Sequence, residues 1–406
     1  MWKALCPAGL LSLGLAGSAS ATLLYVASYA GTVTTLSLTL PDNDSASGTA
    51  ATLESISNST GCGPSPSWLS LDYSKNLLFC LDEGLSSPNG GVTALYANDD
   101  GTLDTLGHLE VIQGPVSIAE FGVGGHGLAI AHYSGSSISV VGFDPEGNLT
   151  LAQNETYALE APGPNPERQE APHPHQALLD PTAAYILVPD LGADEVRIYQ
   201  ADATTLELTP TTPLSVRPGS GPRHGVFTVT PEATYYYLVS ELGNAITGFE
   251  VTYNDDKTLS FTELFNIPTH ADNRTLPDGT GAAEVVVSPD GNYLIVSSRW
   301  ENTFNITNFD PNNSTDILSD PIITYSLDRS TGNITKLQEF PAGGSGPRHF
   351  SINADGNLVA VALQADGRVV LIERDVETGL LKDFVAYKDI EGELTAVIFS
   401  EDYHTI

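Results

Sequence analysis

Arginine and histidine stand side by side in the string Gly-Ser-Gly-Pro-Arg-His, which occurs twice, as Gly219 to His224 and as Gly344 to His349. A guanidinium group is a planar, permanently charged fork that suits a carboxylate or a developing oxyanion. An imidazole can accept or give up a proton near neutral pH. The two residue types together indicate acid/base chemistry on a small molecule that is anionic or carries a carbonyl group.

Each copy of this string opens a similar phrase of strand, turn, strand, loop and strand, which indicates an internal repeat. The same phrase can be followed along the chain as two alternating sets of short apolar strands, with Gly, Asn or Asp in the turns between them. First strands are predicted at residues 67–72, 116–120, 175–179, 224–229, 283–287, 349–352 and 395–399. Second strands are predicted at residues 23–27, 76–80, 127–131, 184–188, 235–239, 292–296 and 357–361.

Seven strand pairs at this spacing predict an all-β fold, a seven-bladed β-propeller. The repeats begin with a second strand and end with a first strand, so we expect the N- and C-terminal strands to share one blade and close the ring. The even distribution of the repeats favours a single domain over residues 22–406. A ring closed by its own termini needs no partner, so we expect a monomer.

Neighbouring strands of a blade are antiparallel, so the starts of first strands and the ends of second strands share one rim of the channel. Three of the ten arginines in the chain fall in the set of polar and aromatic residues at this rim. The alternative is that these side chains form ion pairs between blades. The strand ends at this rim give His175, Asp190, Arg223, His224, Glu241, Glu284, Arg299, Arg348, His349 and Gln364, and the neighbouring His173 and Trp300 complete the rim set as further candidates for substrate binding.

Met1 to Ala21 has the pattern of a secretory signal peptide, with Lys3, an apolar run and a small-residue cleavage site. No stretch is long and apolar enough for a membrane span. We therefore expect a secreted, extracellular protein, free or associated with a cell wall. N-x-Ser/Thr sequons support a glycoprotein. They begin at Asn43, Asn58, Asn148, Asn154, Asn273, Asn305, Asn312, Asn313 and Asn333.

Cys62 and Cys80 are the only cysteines left after removal of the signal peptide, and an even count in an exported chain favours one disulfide over two free thiols. The net charge of −34 makes nucleic acid a poor partner. His173 and His175 resemble half of a zinc site, and acidic rim residues could serve calcium, but the arginines at the same rim oppose a divalent cation. We expect no metal and no cofactor.

Four phrases of the chain resemble the seven-bladed lactonase family, which includes propeller-type 6-phosphogluconolactonases and fungal 3-carboxy-cis,cis-muconate cyclases. They are PHPHQALLDPTAAYILVPDLGADEVRIY, GSGPRHGVF, SPDGNYLIVSSRWENTF and GPRHFSINADGNLVAVALQADGRVVLIER. The resemblance covers nearly all of the mature chain. It implies that the catalytic residues are His175, Arg223, Glu241 and Arg299. We expect the other residues of the rim set to bind substrate. The signal peptide and sequons depart from the intracellular members of the family.

The leading hypothesis is a metal-independent lactonase that opens a sugar-type lactone, in which arginines stabilise an oxyanion and His175 or Glu241 activates water. The first alternative is a cycloisomerase of the muconate cyclase type, since the same groups could close a ring. The second is a secreted glycoprotein without catalytic activity that binds ligands through the propeller. The residues do not decide between ring opening and ring closing, or between His175 and Glu241 as the base.

Overall fold

The computed structural model describes residues 22–40 and 51–401, and almost all of their regular structure is β-strand. The predicted signal peptide and the sequon at Asn43 lie outside these residues. Within the described ranges, no helix has the length and apolar character needed to cross a membrane. The single helical element of these two ranges is a short 3-10 turn, Val123–Gly125.

The strands are short and follow one another through tight turns. The first half of the chain contains β1 (Thr22–Ser28), β2 (Thr32–Thr39), β3 (Thr52–Ser59), β4 (Pro66–Asp72), β5 (Leu77–Asp82), β6 (Asn89–Ala97), β7 (Leu103–Ile112), β8 (Pro115–Phe121), β9 (Gly127–His132), β10 (Ser137–Phe143), β11 (Leu149–Thr156), β12 (Leu178–Leu179), β13 (Tyr185–Asp190), β14 (Glu195–Ala201), β15 (Leu208–Pro210) and β16 (Leu214–Ser215). The second half contains β17 (Pro222–Val229), β18 (Thr234–Ser240), β19 (Ala245–Tyr253), β20 (Leu259–Pro268), β21 (Gly281–Val287), β22 (Tyr293–Arg299), β23 (Phe304–Ile306), β24 (Ile317–Ser319), β25 (Pro321–Leu327), β26 (Ile334–Pro341), β27 (Pro347–Ile352), β28 (Leu358–Leu363), β29 (Arg368–Arg374), β30 (Leu381–Asp389) and β31 (Leu394–Phe399).

These strands form seven antiparallel sheets, which are the blades of a propeller. Blade 1 has the order β3-β2-β1-β31, so strands from the two ends of the chain complete it, as the sequence predicted. Blades 2 to 7 begin with β4, β8, β12, β17, β21 and β27, and β16 extends blade 4. The hairpin β23–β24 is an insertion in blade 6. The prediction of a closed, seven-bladed all-β fold is confirmed.

The apolar core is divided into seven clusters, one between each pair of neighbouring blades. Inner and middle strands are buried on both faces, so they read as apolar runs, as in β28 with the sequence LVAVAL. Outer strands such as β3 are mostly exposed, and Leu53 is the one buried residue of β3. This packing on both faces fixes the inner strands, and with them the side chains that they direct into the central channel.

Cys62 and Cys80 form a disulfide, in agreement with the sequence prediction. The bond joins the segment before β4 to the middle of β5, and both sulfur atoms lie in the core cluster between blades 1 and 2. Among the described residues, the eight predicted sequon asparagines are all exposed. Their exposure is compatible with glycosylation, which stays a prediction.

The predicted first strand at residues 175–179 is shorter in the structure, where only Leu178–Leu179 is a strand. The segment before it still runs along β13, because the His175 N–H donates to the Pro189 carbonyl and the Leu191 N–H donates to the His173 carbonyl. Proline at positions 172 and 174 removes backbone donors from this stretch, so a continuous ladder cannot form.

Candidate functional site

Both copies of the repeated string place their arginine in a β-bulge. In blade 5, Pro222 pairs with Ser240 and His224 with Val239, so Arg223 has no partner on β18. In blade 7, Arg348 is skipped in the same way between Pro347 and His349. A bulge breaks the strict alternation of a strand, so two successive side chains can face the same region. Each copy therefore directs both its arginine and its histidine towards the channel.

The third residue of each string is a glycine with positive φ, 58° at Gly221 and 75° at Gly346. A carboxylate accepts hydrogen bonds from the backbone of each turn. Asp194 binds the N–H groups of Gly219 and Gly221 at 2.6 and 2.8 Å, and Asp320 binds the Gly346 N–H at 2.7 Å. The glycines and these carboxylates fix the turns from which the two arginines emerge.

Glu241 is the centre of a buried ion cluster at the rim. Its Oε2 atom lies 3.1 Å from Arg223 Nε and 3.1 Å from Arg299 Nη2, and its Oε1 atom lies 2.7 Å from Arg168 Nη2. Arg223 Nη1 also donates to the Ala283 carbonyl at 2.7 Å. One carboxylate thus holds three guanidinium groups, which come from β17, β22 and the loop before blade 4.

Arg168 belongs to this cluster and lines the rim, although it was not among the residues predicted from the sequence. It lies in the proline-rich loop of residues 161–175, where strand periodicity gives no guidance. The loop is tied down by Gln169, which is completely buried and donates from Nε2 to the Leu191 carbonyl. The rarity of arginine in this acidic chain is the one sequence feature that could have singled Arg168 out.

A cavity of about 590 Å³ opens at this rim. Such a volume lies within the range of small-molecule sites. The wall includes most of the charged groups of the cluster, together with the exposed ring of Trp300. The lining residues are Asn165, Glu167, Arg168, Glu241, Leu242, Gly279, Thr280, Gly281, Arg299, Trp300, Arg348 and Gln364.

The electrostatics of the cluster keep Glu241 ionised. Burial raises the pKa of Glu241, but the guanidinium groups of Arg299, Arg223 and Arg168 outweigh this effect and lower the pKa to about 2. Burial and mutual repulsion lower the pKa of Arg223, and burial lowers that of Arg299. A carboxylate with so low a pKa is a weak base at neutral pH. Its geometry suits it to position arginines.

Three histidines form a layer below the arginines, deeper in the channel. His175 Nδ1 lies 3.2 Å from His224 Nε2, and His224 Nδ1 lies 2.9 Å from Glu284 Oε1. His349 Nε2 lies 3.9 Å from Glu284 Oε2. The edge of the Trp68 ring system packs against both His224 and His349. Six blades converge here, since Trp68, Val116, His175, His224, His349 and Thr395 line one small void of about 10 Å³.

This void has the size of about one water molecule. Arg223 and Arg348 also line it, and Arg348 belongs to the wall of the large cavity as well. Burial lowers the pKa of His175 well below its usual value, and the nearby Arg223 lowers it further. His175 is therefore neutral at pH 7 and has a lone pair on one ring nitrogen, but its ring is a weaker base than a free imidazole.

A second cavity, of about 450 Å³, lies at the other side of the histidine layer. Its wall is mostly apolar, with Val285, Phe350 and Ile398 among its residues. Glu284 and His349 line this cavity, whereas His175 and Arg223 do not. Glu284 and the histidines thus separate the rim cavity from the opposite end of the channel.

Asp190 and His173 lie away from both cavities. The Asp190 carboxylate accepts backbone hydrogen bonds from His173, Gly192 and Ala193, and it forms an ion pair with Arg197 at 2.9 Å. The His173 ring stacks on Tyr133, with ring centres 4.3 Å apart. The structure therefore gives both residues contacts that support the loop.

Trp300 and Gln364 both line the rim cavity. Trp300 is half exposed, and Gln364 Nε2 donates to Glu393 at 2.8 Å. In residues 22–40 and 51–401, no group of three or more His, Cys, Asp or Glu side chains is arranged to hold a metal ion. The sequence-based expectation of metal independence stays a prediction.

Comparisons of this chain with known proteins agree on one family. Residues 23–399 match the family described as "Lactonase, 7-bladed beta-propeller". A fungal protein of Arthroderma benhamiae, named "Probable 6-phosphogluconolactonase", is 31% identical over 92% of this chain and 87% of its own. The 6-phosphogluconolactonase of Bacillus subtilis is 27% identical over 78% of this chain and 82% of its own.

A solved structure supports the same architecture. The periplasmic gluconolactonase of Pseudomonas aeruginosa superimposes with a TM-score of 0.76 at 22% identity, covering 94% of this chain and 99% of that one. At this identity the likeness concerns the fold. The family match spans all seven blades, including both copies of the repeated string, and the chain therefore belongs to the seven-bladed β-propeller lactonase family.

Proposed function

We propose that this protein is a lactonase that hydrolyses the ring ester of an aldonolactone in the rim cavity. The observation that carries the proposal is the Glu241 cluster, in which one carboxylate holds Arg168, Arg223 and Arg299 beside a cavity of about 590 Å³. Guanidinium groups fixed in advance need no reorganisation when negative charge develops on a substrate oxygen.

In the proposed reaction the lactone carbonyl lies against Arg299 and Arg348, which line the cavity. Their N–H groups polarise the carbonyl and stabilise the tetrahedral oxyanion. Among the described residues, Arg348 has no carboxylate within ion-pair distance, and its guanidinium group lies 5.7 Å from the centre of the Tyr29 ring. Arg348 is thus the arginine most available to a substrate oxygen.

His175 is the general base of this proposal, and Glu241 positions the arginines. A water molecule between His175, Arg223 and Arg348 transfers a proton to His175 as its oxygen bonds to the carbonyl carbon. The bond from that carbon to the ring oxygen then breaks. The proton returns from His175 to the departing alkoxide, and the product is an open-chain hydroxy acid. No net electron transfer takes place.

The choice of substrate class draws on the relatives. Several are named 6-phosphogluconolactonases, and one structural neighbour is titled a gluconolactonase. A cationic cavity also suits an oxygen-rich ring that can carry an anionic substituent. We propose that the reaction takes place outside the cell, because the chain has a leader pattern, nine sequons and a buried disulfide.

The proposal is tested by pH-stat hydrolysis of glucono-, cellobiono- and 6-phosphogluconolactone, corrected for spontaneous opening. The wild type is compared with Arg223→Ala and with the matched control Arg217→Ala, whose arginine pairs with Glu263 at the exposed surface. We expect hydrolysis by the wild type and the control, and a loss of about 100-fold or more in Arg223→Ala. Equal rates in all three proteins would refute the assignment of the site.

Three guanidinium groups around one cavity also favour a second candidate, a cycloisomerase that binds several carboxylates. Addition of a substrate carboxylate across a double bond would close a lactone ring. This candidate requires loss of the ultraviolet absorbance of 3-carboxy-cis,cis-muconate. If neither this change nor hydrolysis occurs, while ligands still bind, a non-catalytic binding glycoprotein is favoured.

A further inference from the structure

The histidine layer contains a continuous line of polar contacts that the proposed hydrolysis does not by itself require. Glu284 Oε1 lies 2.9 Å from His224 Nδ1, and His224 Nε2 lies 3.2 Å from His175 Nδ1. All three side chains are buried. The three residues come from three blades, since Glu284 is on β21, His224 is on β17 and His175 precedes β12.

The direction of each hydrogen bond in this line follows from Glu284. Its Oε1 atom also accepts the Val285 N–H at 3.0 Å, which is what an ionised carboxylate oxygen does. His224 must therefore donate from Nδ1. Burial lowers the pKa of His224, so the ring is neutral and its Nε2 carries a lone pair. That lone pair accepts a hydrogen bond from His175 Nδ1–H.

We infer that Glu284 and His224 are positioning residues that fix His175 in the tautomer with a proton on Nδ1 and a free lone pair on Nε2. This inference rests on the proposed function, in which Nε2 is the atom that removes a proton from water. The arrangement follows the logic by which a carboxylate orients a catalytic histidine, extended by one additional imidazole.

The line also provides a negative charge, that of Glu284, which stabilises His175 when the ring becomes protonated. Arginines around the rim disfavour an imidazolium at this position, whereas the Glu284 carboxylate stabilises positive charge through His224. Glu284 is suited to this because the hydrogen bond from His224 and the nearby Arg223 guanidinium group lower the pKa of its carboxyl despite burial. The charged and titratable groups that face His175 are Tyr133, Arg223, His224, Arg348 and His349.

His349 has the opposite orientation and is not part of the line. Its Nδ1 atom accepts the Val397 N–H at 3.3 Å, so the neutral ring carries its proton on Nε2. Nε2 faces Glu284 Oε2 at 3.9 Å, beyond hydrogen-bond distance. Only the His224 branch therefore connects Glu284 to the candidate base.

The tautomers are read directly by two-dimensional NMR of the full protein labelled with ¹⁵N-histidine at pH 7. Signals are assigned by their loss in His175→Gln and His224→Gln. We expect both rings to be neutral, with the proton on Nδ1 and an unprotonated Nε2. A proton on His175 Nε2 would overturn the inference, whether or not the protein hydrolyses a lactone.

Kinetics then test the role of the charge. Glu284→Gln keeps an acceptor oxygen but removes the negative charge, so kcat is expected to fall by about 10²-fold or more while KM changes by less than about 3-fold. Glu284→Asp is expected to restore part of kcat. The matched control is Glu120→Gln, a half-buried carboxylate on β8 that is not in the line.

The outcomes separate the two proposals. Hydrolysis with an unchanged kcat in Glu284→Gln would overturn the positioning role and leave the lactonase assignment intact. The expected tautomers in a protein that hydrolyses no lactone would refute the proposed function while supporting the orientation of His175. Circular dichroism and thermal melting of each variant identify a loss of kcat that comes from unfolding.

Discussion

Arg223 Nε and Glu241 Oε2 lie 3.1 Å apart because the bulge at Arg223 is directly opposite the end of β18. Pro222 is paired with Ser240, and the Glu241 N–H donates to the Gly221 carbonyl at 2.8 Å. Arg223 and Glu241 therefore flank this pair on opposite sides, and their side chains meet across it at the rim. Both side chains are buried. A contact of this kind is costly to break from one side, because the remaining charge has no solvent to stabilise it.

We therefore expect Glu241→Gln to destabilise the protein by about 3–5 kcal/mol, since it leaves Arg168, Arg223 and Arg299 without their shared counter-ion. Urea unfolding followed by tryptophan fluorescence gives this value. Glu263→Gln, which removes an exposed partner of Arg217, should cost less than about 1 kcal/mol. Equal losses in the two variants would contradict a buried ion cluster.

Gly221→Ala is expected to reduce both stability and activity. Alanine at φ 58° costs about 1 kcal/mol, and a Cβ atom would also lie 2.5 Å from Leu242 Cγ. Gly125→Ala shares the positive φ, but its nearest contact is the flexible end of Lys75 at 3.7 Å. The control should therefore lose stability alone, whereas Gly221→Ala should also displace Arg223 and lower kcat/KM. Chemical denaturation and pH-stat assays measure the two effects.

Glu120 should make the stability of the protein fall as the pH rises from about 4.5 to about 7. Burial raises the pKa of its carboxyl from 4.5 to about 7, although Ser70 donates a hydrogen bond to it. The folded state therefore keeps this proton where the unfolded state loses it, and the stabilisation declines between about pH 4.5 and pH 7. Glu120→Gln should unfold at higher urea than the wild type at pH 8 and at the same urea at pH 4. Parallel pH profiles would contradict the prediction.

The disulfide joins two cysteines 18 residues apart in the core between blades 1 and 2. A loop of this length predicts a stabilisation of about 3 kcal/mol. The double variant Cys62→Ala/Cys80→Ala should unfold at lower denaturant by a corresponding amount. Dithiothreitol should lower the midpoint of the wild type and leave that of the variant unchanged. A reductant effect on both proteins would point to another cause.

The sequence predicted the ring because its strands are short, apolar and evenly repeated, which is a local property of the chain. It also identified the rim residues Arg223, Glu241, Arg299 and Arg348, since antiparallel pairing determines which strand ends are neighbours. Arg168 was beyond this argument, because it reaches the rim from an irregular loop. Asp190 satisfied the rim rule, but its carboxylate binds backbone amides and Arg197.

The two bulges also could not be predicted from the sequence. A strand read with strict alternation places Arg223 and His224 on opposite faces, whereas the bulge lets both enter the channel. The hydrogen-bonded line from Glu284 through His224 to His175 joins three blades that are separated along the chain. Its order depends on the exact packing of the ring and not on any local spacing.

Blade 1 is completed by β31, the last strand of the chain, which pairs with β1 and also donates the Val397 N–H to His349. β1 pairs with β2 early in synthesis, but its other edge stays open, and the His349 ring lacks this hydrogen bond, until residues 394–399 have been made. A product that stops before Leu394 lacks this strand and leaves an open edge on β1. Such a fragment should be a substrate for proteases and chaperones, rather than a weaker version of the enzyme.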